Sequence, residues 1–261
     1  MAIPTPTNQY LIDEESGTTV GDSEGSVDGT IDDGSWTEDT EHGWGIEWDG
    51  SGDQGVDFGD NLPNQTTFTL YVAFYPHQTA DFANVFSKGL SHGGNSGDSE
   101  WWISVYNDSL YANVQGDGAL RGDTIGGLTA DDLHRVAMCV DWDGNMWIYH
   151  NGTETYDSDI SADSPANTTS FNATMGVDSW RDDFQFDGVV YEAAYWDQQL
   201  SKTDAEDLTN NGLAGEPFFD VTITGTNEPV SDGETLEVYA DVENTGGAEG
   251  TQEIELNIDP Q

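Results

Sequence analysis

Oxygen-bearing side chains alternate along one short segment in the middle of the chain. Asp141, Asp143 and Asn145 occupy every second position there, with a tryptophan and a glycine between them. Carboxylate and amide oxygens around a loop are the ligands that Ca²⁺ prefers, although the distal glutamate of an EF-hand loop is missing. Calcium at these three residues is therefore a hypothesis, with an ordinary acidic β-turn as the alternative. The opening segment, which contains Asp13 and Asp22, is a lesser candidate.

Three tryptophans are candidates for contacts with a sugar, because sugars bind exposed aromatic faces beside polar loops. Trp142 lies at the tip of a predicted hairpin and Trp180 lies in a loop-like segment, where side chains are rarely buried. Trp101 and Trp102 are neighbours on a predicted strand, so they point to opposite faces and one of them can be exposed. Packing in the core is the alternative for each of them.

Other reactive side chains give no catalytic or metal-binding motif. The five histidines show no metal-ligand spacing. Cys139 is the single cysteine, so no intrachain disulfide is possible, and its alternating apolar segment is typical of a buried, inert thiol.

Negative charge dominates the composition. The chain has 261 residues with 51 Asp and Glu against 5 Lys and Arg, a formal net charge of −46. Five scattered cations cannot form a basic patch, so nucleic acid and anionic membrane surfaces are excluded as direct ligands, and no apolar run approaches the ~20 residues of a membrane helix. Self-repulsion at this charge is screened in molar salt, where the Debye length is ~3 Å. We therefore expect adaptation to concentrated salt, with a calcium-buffering acidic protein as the alternative.

The elements that must position these residues are β-strands. Phe68–Tyr75 is apolar on both faces, which predicts a central strand of a sandwich. Hairpins are predicted over 102–114 and over 135–150, and one short helix is predicted after Ser201, which forms a capping box with Asp204. Strands separated by turns every 8–12 residues predict an all-β sandwich or jelly roll.

Six segments follow one another in an informative order between residues 10 and 215. They read "DEESGTTVGDSEGSVDGTI", "GWGIEWDGSGDQGVDFGD", "TTFTLYVAFYP", "NVFSKG" with "WWISVYNDSLYANVQGDG", "LHRVAMCVDWDGNMWIYHNG" and "FDGVVYEAAYWDQQLSKTDAEDL". Together they resemble the laminin-G-like branch of the concanavalin A-like jelly rolls. The resemblance implies a two-sheet jelly-roll domain over 10–215, preceded by an N-terminal arm of residues 1–9. It also implies calcium at a rim of the sandwich, where family members often bind it.

Residues 216–261 resemble the first half of a CARDB-type immunoglobulin-like sandwich, most recognisably in "VENTGGAEGTQ". Three strands are predicted there, namely Phe219–Thr224, Leu236–Val242 and Ile254–Ile258, and the later strands of such a domain are missing. A sandwich needs two apolar faces packed together. We therefore expect 218–261 to be an assembly element that pairs with the same segment of neighbouring subunits or with another structural protein of a virion or envelope.

Catalysis is not expected. Glycosidases of this fold need two carboxylates at adjacent in-facing positions of one strand, and the nearest match, Glu47-Trp48-Asp49, runs into a turn. The expectation is a non-enzymatic surface protein of a halophilic system that binds host-surface glycans. The N-terminus has no secretion signal, which favours a virion surface component such as a turret, decoration, fibre or spike. A haloarchaeal cell-surface adhesin or S-layer-associated protein is the alternative, and a carbohydrate-active enzyme module is the third possibility.

Overall fold

A computed structural model describes residues 3–40, 42–52, 54–62, 65–89, 99–117, 119–166, 171–177, 184–213, 219–226 and 235–244. The chain divides into two compact units, Met1–Gly212 and Leu213–Gln261. Among the described residues, no helix is long and apolar enough to cross a membrane.

The described residues form 18 strands, which confirms the prediction of an all-β protein. In chain order the strands are β1 (Asn8–Tyr10), β2 (Thr19–Val20), β3 (Gly29–Asp32), β4 (Ser35–Asp39), β5 (Gly43–Asp49), β6 (Gly55–Asp57), β7 (Thr67–Pro76), β8 (Ala83–Gly89), β9 (Ser99–Tyr106), β10 (Ser109–Gln115), β11 (Leu120–Gly126), β12 (His134–Asp141), β13 (Asn145–His150), β14 (Thr153–Asp159), β15 (Ala173–Met175), β16 (Asp187–Trp196), β17 (Phe219–Thr226) and β18 (Val238–Asn244). A short 3-10 turn, Gly59–Asn61, lies between β6 and β7.

Two antiparallel sheets of eight strands build the first unit. The first sheet has the order β14-β13-β12-β7-β16-β5-β4, and β1 pairs with the second half of β16. The second sheet has the order β11-β10-β9-β8-β15-β6-β3-β2. One large apolar cluster draws buried side chains from both sheets. This arrangement is the jelly-roll sandwich that the sequence predicts.

The predicted central strand does lie in the centre of its sheet, because β7 pairs with β12 on one side and with β16 on the other. Alternate side chains along β7 enter the core and are fully buried, namely Phe68, Leu70, Val72 and Phe74. Side chains alternate across a strand, so Tyr71, Ala73 and Tyr75 point to the outer face of the first sheet. This face carries the candidate site described below.

Both predicted hairpins are present. β9 and β10 meet at Asn107 and Asp108, whose φ values of 49° and 56° are those of a type I′ turn. This turn matches the right-handed twist of the strands it connects. β12 and β13 are joined after Asp141, as predicted.

The predicted helix is α1 (Lys202–Asn211). The hydroxyl of Ser201 accepts a hydrogen bond from the backbone N–H of Asp204 at 3.2 Å, and Gly212 ends the helix with a φ of 82°. The helix packs against β12 and β13, which anchors it to the outer face of the first sheet.

In the second unit the structure describes a two-stranded antiparallel sheet of β17 and β18. Its large apolar side chains include Ile223, Tyr239 and Val242, each at least half exposed. The third predicted strand, Ile254–Ile258, lies outside the described residues, so the CARDB-type assignment stays a prediction.

Candidate ligand-binding cleft

Part of the outer face of the first sheet is covered by the segment that precedes α1. Gln199, in the segment before α1, donates hydrogen bonds from Nε2 to the carbonyl oxygens of Cys139 and Asn145 at 3.3 and 2.6 Å. The thiol of Cys139 is buried, and burial raises its pKa to about 12. The apolar segment around Cys139 correctly predicts this burial, which opposes the ionisation that a thiol needs in order to react.

An open cleft of about 490 Å³ lies over the ends of β7 and β12. Ligand-binding cavities generally measure about 300–1,000 Å³, so this volume suits a small organic ligand. Its lining residues come from the β4–β5 turn, the end of β7 and the segment that leads into β12. They are His42, Tyr75, Asp131, Asp132, Leu133 and Arg135.

Aromatic rings form one wall of the cleft. The ring of His42 lies 5.4 Å from that of Tyr191 and 6.3 Å from that of Tyr75. Tyr75 in turn lies 5.9 Å from the ring of His77, edge to face. Tyr75 is half-buried, so part of its ring is available to a ligand.

Gly45 on β5 allows this wall to form. A Cβ atom at Gly45 would lie 2.6 Å from Cγ1 of Val189 and 2.9 Å from Cδ1 of Tyr191. The backbone of β5 therefore approaches these β16 side chains more closely than any other residue type would permit. The Tyr191 ring is buried against it, and this burial raises the pKa of Tyr191 to about 12.

His77 links the strands around the cleft through carboxylates. Its Nε2 atom is 3.0 Å from Oε1 of Glu47, and its Nδ1 atom is 3.7 Å from Oδ1 of Asp131. The backbone N–H of Asp131 donates to the carbonyl of Pro76 at 2.8 Å. These contacts connect the segment before β12 to the end of β7, and both segments line the cleft.

The electrostatic environment at this end of the sheet is negative. The pKa of Asp187, which lies beside His77, is raised. Burial is the main cause, His77 opposes it, and the neighbouring carboxylates of Asp49, Glu47 and Asp131 add to it.

Arg135 supplies the positive charge of the lining, next to a hydrogen-bonded pair on the sheet. The hydroxyl of Tyr71 donates to Oε2 of Glu192 at 2.8 Å. A Cβ atom at Gly212 would lie 3.0 Å from that Glu192 oxygen and 3.4 Å from Nε of Arg135, so both side chains flank the end of α1. Burial, and then the charge of Glu192, raise the pKa of Tyr71, which therefore stays a donor.

Of the predicted sugar-binding tryptophans, Trp101 and Trp142 are not among the residues that line this cleft. Trp101 is fully buried and Trp142 is 2% exposed, so the expectation of an exposed Trp142 is wrong. The backbone N–H of Trp142 donates to the carbonyl of Thr66 at 2.9 Å, which continues the β12–β7 pairing by one residue. Its indole consequently packs into the core and against Gly116. Trp180 lies outside the described residues.

The predicted calcium ligands have hydrogen-bond partners of their own. Oδ1 of Asp141 accepts the backbone N–H of Asp143 at 3.0 Å, as in an acidic turn, and Nδ2 of Asn145 lies 3.4 Å from Oδ1 of Asp157. Among the described residues, no group of three or more His, Cys, Asp or Glu is arranged to hold a metal. Calcium at Asp141, Asp143 and Asn145 stays a prediction that this geometry does not favour.

Asp22, in the opening segment, closes a loop. Its carboxylate accepts hydrogen bonds from Nδ2 of Asn8 at 2.6 Å and from the backbone N–H groups of Gln9, Gly25 and Val27 at 2.8–3.0 Å. Burial opposes ionisation, but these donors outweigh it and lower the pKa of Asp22. A carboxylate surrounded by donors is poorly suited to a cation.

No pattern in the sequence predicts that the residues of the cleft lie together. His42, Tyr75, Asp131 and Arg135 come from three segments that share no motif, and only the sheet order brings them together. The one local signal is the charged sequence Asp131-Asp132-Leu133-His134-Arg135 before a strand.

The family can be stated from the sequence. Residues 49–205 match the Laminin_G_3 family, described as the concanavalin A-like lectin/glucanases superfamily. The match covers more than half of the chain, and the chain belongs to this superfamily. No curated protein matches it.

Several solved structures are similar in fold. Domain 4 of AbnA, a GH43 extracellular arabinanase from Geobacillus stearothermophilus solved with arabinotriose, is 19% identical with a TM-score of 0.60, over 80% of this chain and 100% of that domain. Trypanosoma rangeli sialidase in complex with sialic acid is 15% identical with a TM-score of 0.60, over 81% of this chain and 34% of the sialidase. The botulinum neurotoxin serotype G binding domain is 12% identical with a TM-score of 0.59, over 78% of this chain and 50% of that one. The chain therefore spans about a third of the sialidase and half of the toxin domain, and at these identities the likeness shows the fold alone.

Proposed function

We propose that this chain is a non-enzymatic carbohydrate-binding protein and that the cleft is its sugar site. The observation that carries the proposal is the cleft itself, in which a partly exposed tyrosine ring stands beside carboxylates and a guanidinium. Sugars stack their apolar ring faces on aromatic side chains, and their hydroxyls hydrogen-bond to polar groups beside the ring. Tyr75 supplies the ring, and Asp131, Asp132 and Arg135 supply acceptors and donors.

The arrangement of carboxylates supports binding rather than hydrolysis. Glycosidases place two carboxylates on opposite sides of the scissile bond, about 5–9.5 Å apart. Asp131 and Asp132 are adjacent in sequence on one wall, and Glu47 is engaged with His77. Oδ2 of Asp132 accepts a hydrogen bond from Thr129 at 2.7 Å. Glu47 and Asp132 already have hydrogen-bond partners of their own, and on this basis we propose that no catalysis occurs there.

The test is a titration with sugars in molar salt. We expect Tyr75→Ala to weaken binding of any sugar found on a glycan array by about tenfold, equivalent to about 1.4 kcal/mol of lost stacking. Tyr75→Phe keeps the ring and should bind like the wild type. Tyr106→Ala is the matched control, because Tyr106 is 42% exposed on the second sheet. Equal affinities for wild type and Tyr75→Ala, or a loss only in Tyr106→Ala, would place the sugar elsewhere.

We further propose that the protein is displayed on the outer surface of a virus particle or of a cell, in an environment of concentrated salt. The net charge of −46 supports the salt adaptation, and a sugar site is useful where host glycans are met. A virion surface component remains the favoured location and a cell-surface adhesin the alternative. Immunogold labelling of virions and cells distinguishes them.

The second unit is proposed as the assembly element. Within the described part of this unit, β17 and β18 expose Ile223, Tyr239 and Val242, and a hairpin with an exposed apolar face is marginally stable without a further partner. Pairing with neighbouring copies or with another structural protein would cover these side chains.

A further inference from the structure

We propose that the cleft accepts uncharged sugars and excludes acidic ones, because carboxylates outnumber the one guanidinium that reaches it. The inference rests on the proposed function and specifies the ligand class of the same site. It is carried by the positions of the charged side chains in the part of the chain that the structure describes.

The cations of this chain are few, and three of the described ones are engaged elsewhere. Buried Lys88 pairs with Asp60. Arg121 contacts Asp163 through both Nε and Nη2, at 2.7 and 2.6 Å. Neither cation lines the cleft.

Lys202, on α1, lies 2.8 Å from Glu154 and 2.6 Å from Asp157. Arg181 lies outside the described residues. Arg135 is therefore the only described cation that lines the cleft.

A carboxylate lies in the neighbourhood of Arg135. Arg135 and Glu192 both lie beside Gly212, and Glu192 accepts the hydroxyl of Tyr71. The negative charge of Glu192 offsets part of the attraction that Arg135 would exert on an acidic sugar. A neutral hydroxyl can accept a hydrogen bond from Arg135 and is not repelled by Glu192.

Negative groups also line the cleft. Asp131 and Asp132 line the cleft, and Glu47 stands behind them on the other side of His77. Burial is the main cause of the raised pKa of nearby Asp187, and the carboxylates of Asp49, Glu47 and Asp131 add to it. A sugar carboxylate or sulfate would meet like charge here, and like-charge contact is a common device for rejecting the wrong ligand.

Selectivity of this kind survives concentrated salt. At about 1 M salt the Debye length is ~3 Å, so the overall charge of the protein is screened while charges in contact with a ligand are not. Discrimination measured in molar salt therefore reports on Asp131 and Asp132 themselves. In dilute salt the whole charge of −46 would repel any anion.

The experiment compares paired probes at about 1 M NaCl. Galacto-, gluco- and xylo-oligosaccharides are each matched with galacturonate- or glucuronate-containing oligosaccharides of the same length. We expect the wild type to bind the neutral member of the recognised pair at least about tenfold more tightly. The double variant Asp131→Asn with Asp132→Asn should reduce that ratio to about threefold or less. Asparagine keeps an acceptor oxygen for Thr129 and tolerates the positive φ of 58° at position 131.

A matched control separates the local effect from the loss of net charge. Asp32→Asn with Asp197→Asn removes the same two charges at exposed positions outside the cleft, and it should leave the ratio unchanged. The inference is overturned if the acidic member binds as tightly as the neutral one, or if the cleft variant keeps the wild-type ratio. Either result would leave the proposal of sugar binding at this cleft intact. Failure to bind any sugar of either kind would instead overturn the proposed function, and this inference with it.

Discussion

His134 and His150 form a pair of imidazoles at the edge of the core. Nδ1 of His134 lies 3.0 Å from Nε2 of His150, and Nε2 of His134 lies 2.8 Å from the carbonyl of Thr129. A carbonyl only accepts, so His134 donates from Nε2, and its Nδ1 accepts from His150. His134 is therefore neutral in this arrangement. Burial lowers the pKa of both, that of His150 from 6.5 to about 4.

This pair predicts a loss of stability in acid. Between about pH 6.5 and 4 the unfolded chain binds a proton at His150 that the folded chain does not, so the free energy of unfolding falls as the pH falls through this range. A pKa change of this size corresponds to about 3 kcal/mol, and solvent screening at the half-buried His150 makes this an upper bound. We expect His150→Gln, which keeps a donor for His134 but does not titrate, to flatten this part of the urea-denaturation profile.

The control for that profile is His42→Gln, because His42 lies in the open cleft. The difference between the variant and wild-type profiles is the quantity that matters, because every other group is the same in both proteins. Parallel profiles for wild type and His150→Gln would show that the buried pair does not sense pH.

At the scale of single residues, the sequence predicts burial better than exposure. Cys139 is buried, as its alternating pattern indicates. Trp142 was expected at the surface because it borders a turn, yet its backbone still pairs with Thr66 and its indole packs in the core. The side chain of a turn residue can thus continue the inward and outward alternation of the preceding strand. No local sequence pattern shows that Trp142 does so.

At the scale of elements, the strands and the helix could be predicted because each depends on local signals. The two apolar faces of β7, the Asn107-Asp108 turn and the capping box of Ser201 and Asp204 are all readable from neighbouring residues. The cleft could not be predicted in this way. His42, Tyr75 and Arg135 are separated by more than 30 positions, and the pairing of β12, β7, β16 and β5 brings them to one face.

The hairpin of β17 and β18 carries the element-scale prediction. Its exposed Ile223, Tyr239 and Val242 would be covered in an assembly. We expect deletion of residues 218–261 to convert an oligomer into a monomer in high salt, as measured by light scattering, and to leave sugar binding intact. The variant Ile223→Ser with Val242→Ser should weaken assembly in the same direction. A full-length protein that is already monomeric, with a tail protected from hydrogen exchange, would contradict the assembly role.

At the scale of the whole molecule, charge governs the response to salt. The chain has 51 acidic residues and 5 cations, and three of those cations, Lys88, Arg121 and Lys202, already form ion pairs in the structure. Uncompensated repulsion must therefore be screened by the solvent. We expect circular dichroism to show unfolding on dialysis from molar to ~0.1 M salt.

Sucrose at matched osmolarity is the control, because it favours compact states without screening charge. Sucrose should therefore fail to prevent the unfolding that removal of salt causes. An unchanged β spectrum and melting temperature at low salt would remove the argument for a halophilic protein.

The central claim is that a sugar binds over Tyr75 on the outer face of the first sheet. The most direct measurement is a crystal structure with an oligosaccharide that the glycan array identifies. We predict a sugar ring in contact with the Tyr75 ring, within ~4 Å, and hydroxyls hydrogen-bonded to Asp131, Asp132 or Arg135. A sugar found instead on the second sheet, with the cleft of His42, Tyr75 and Arg135 unaltered, would contradict the account.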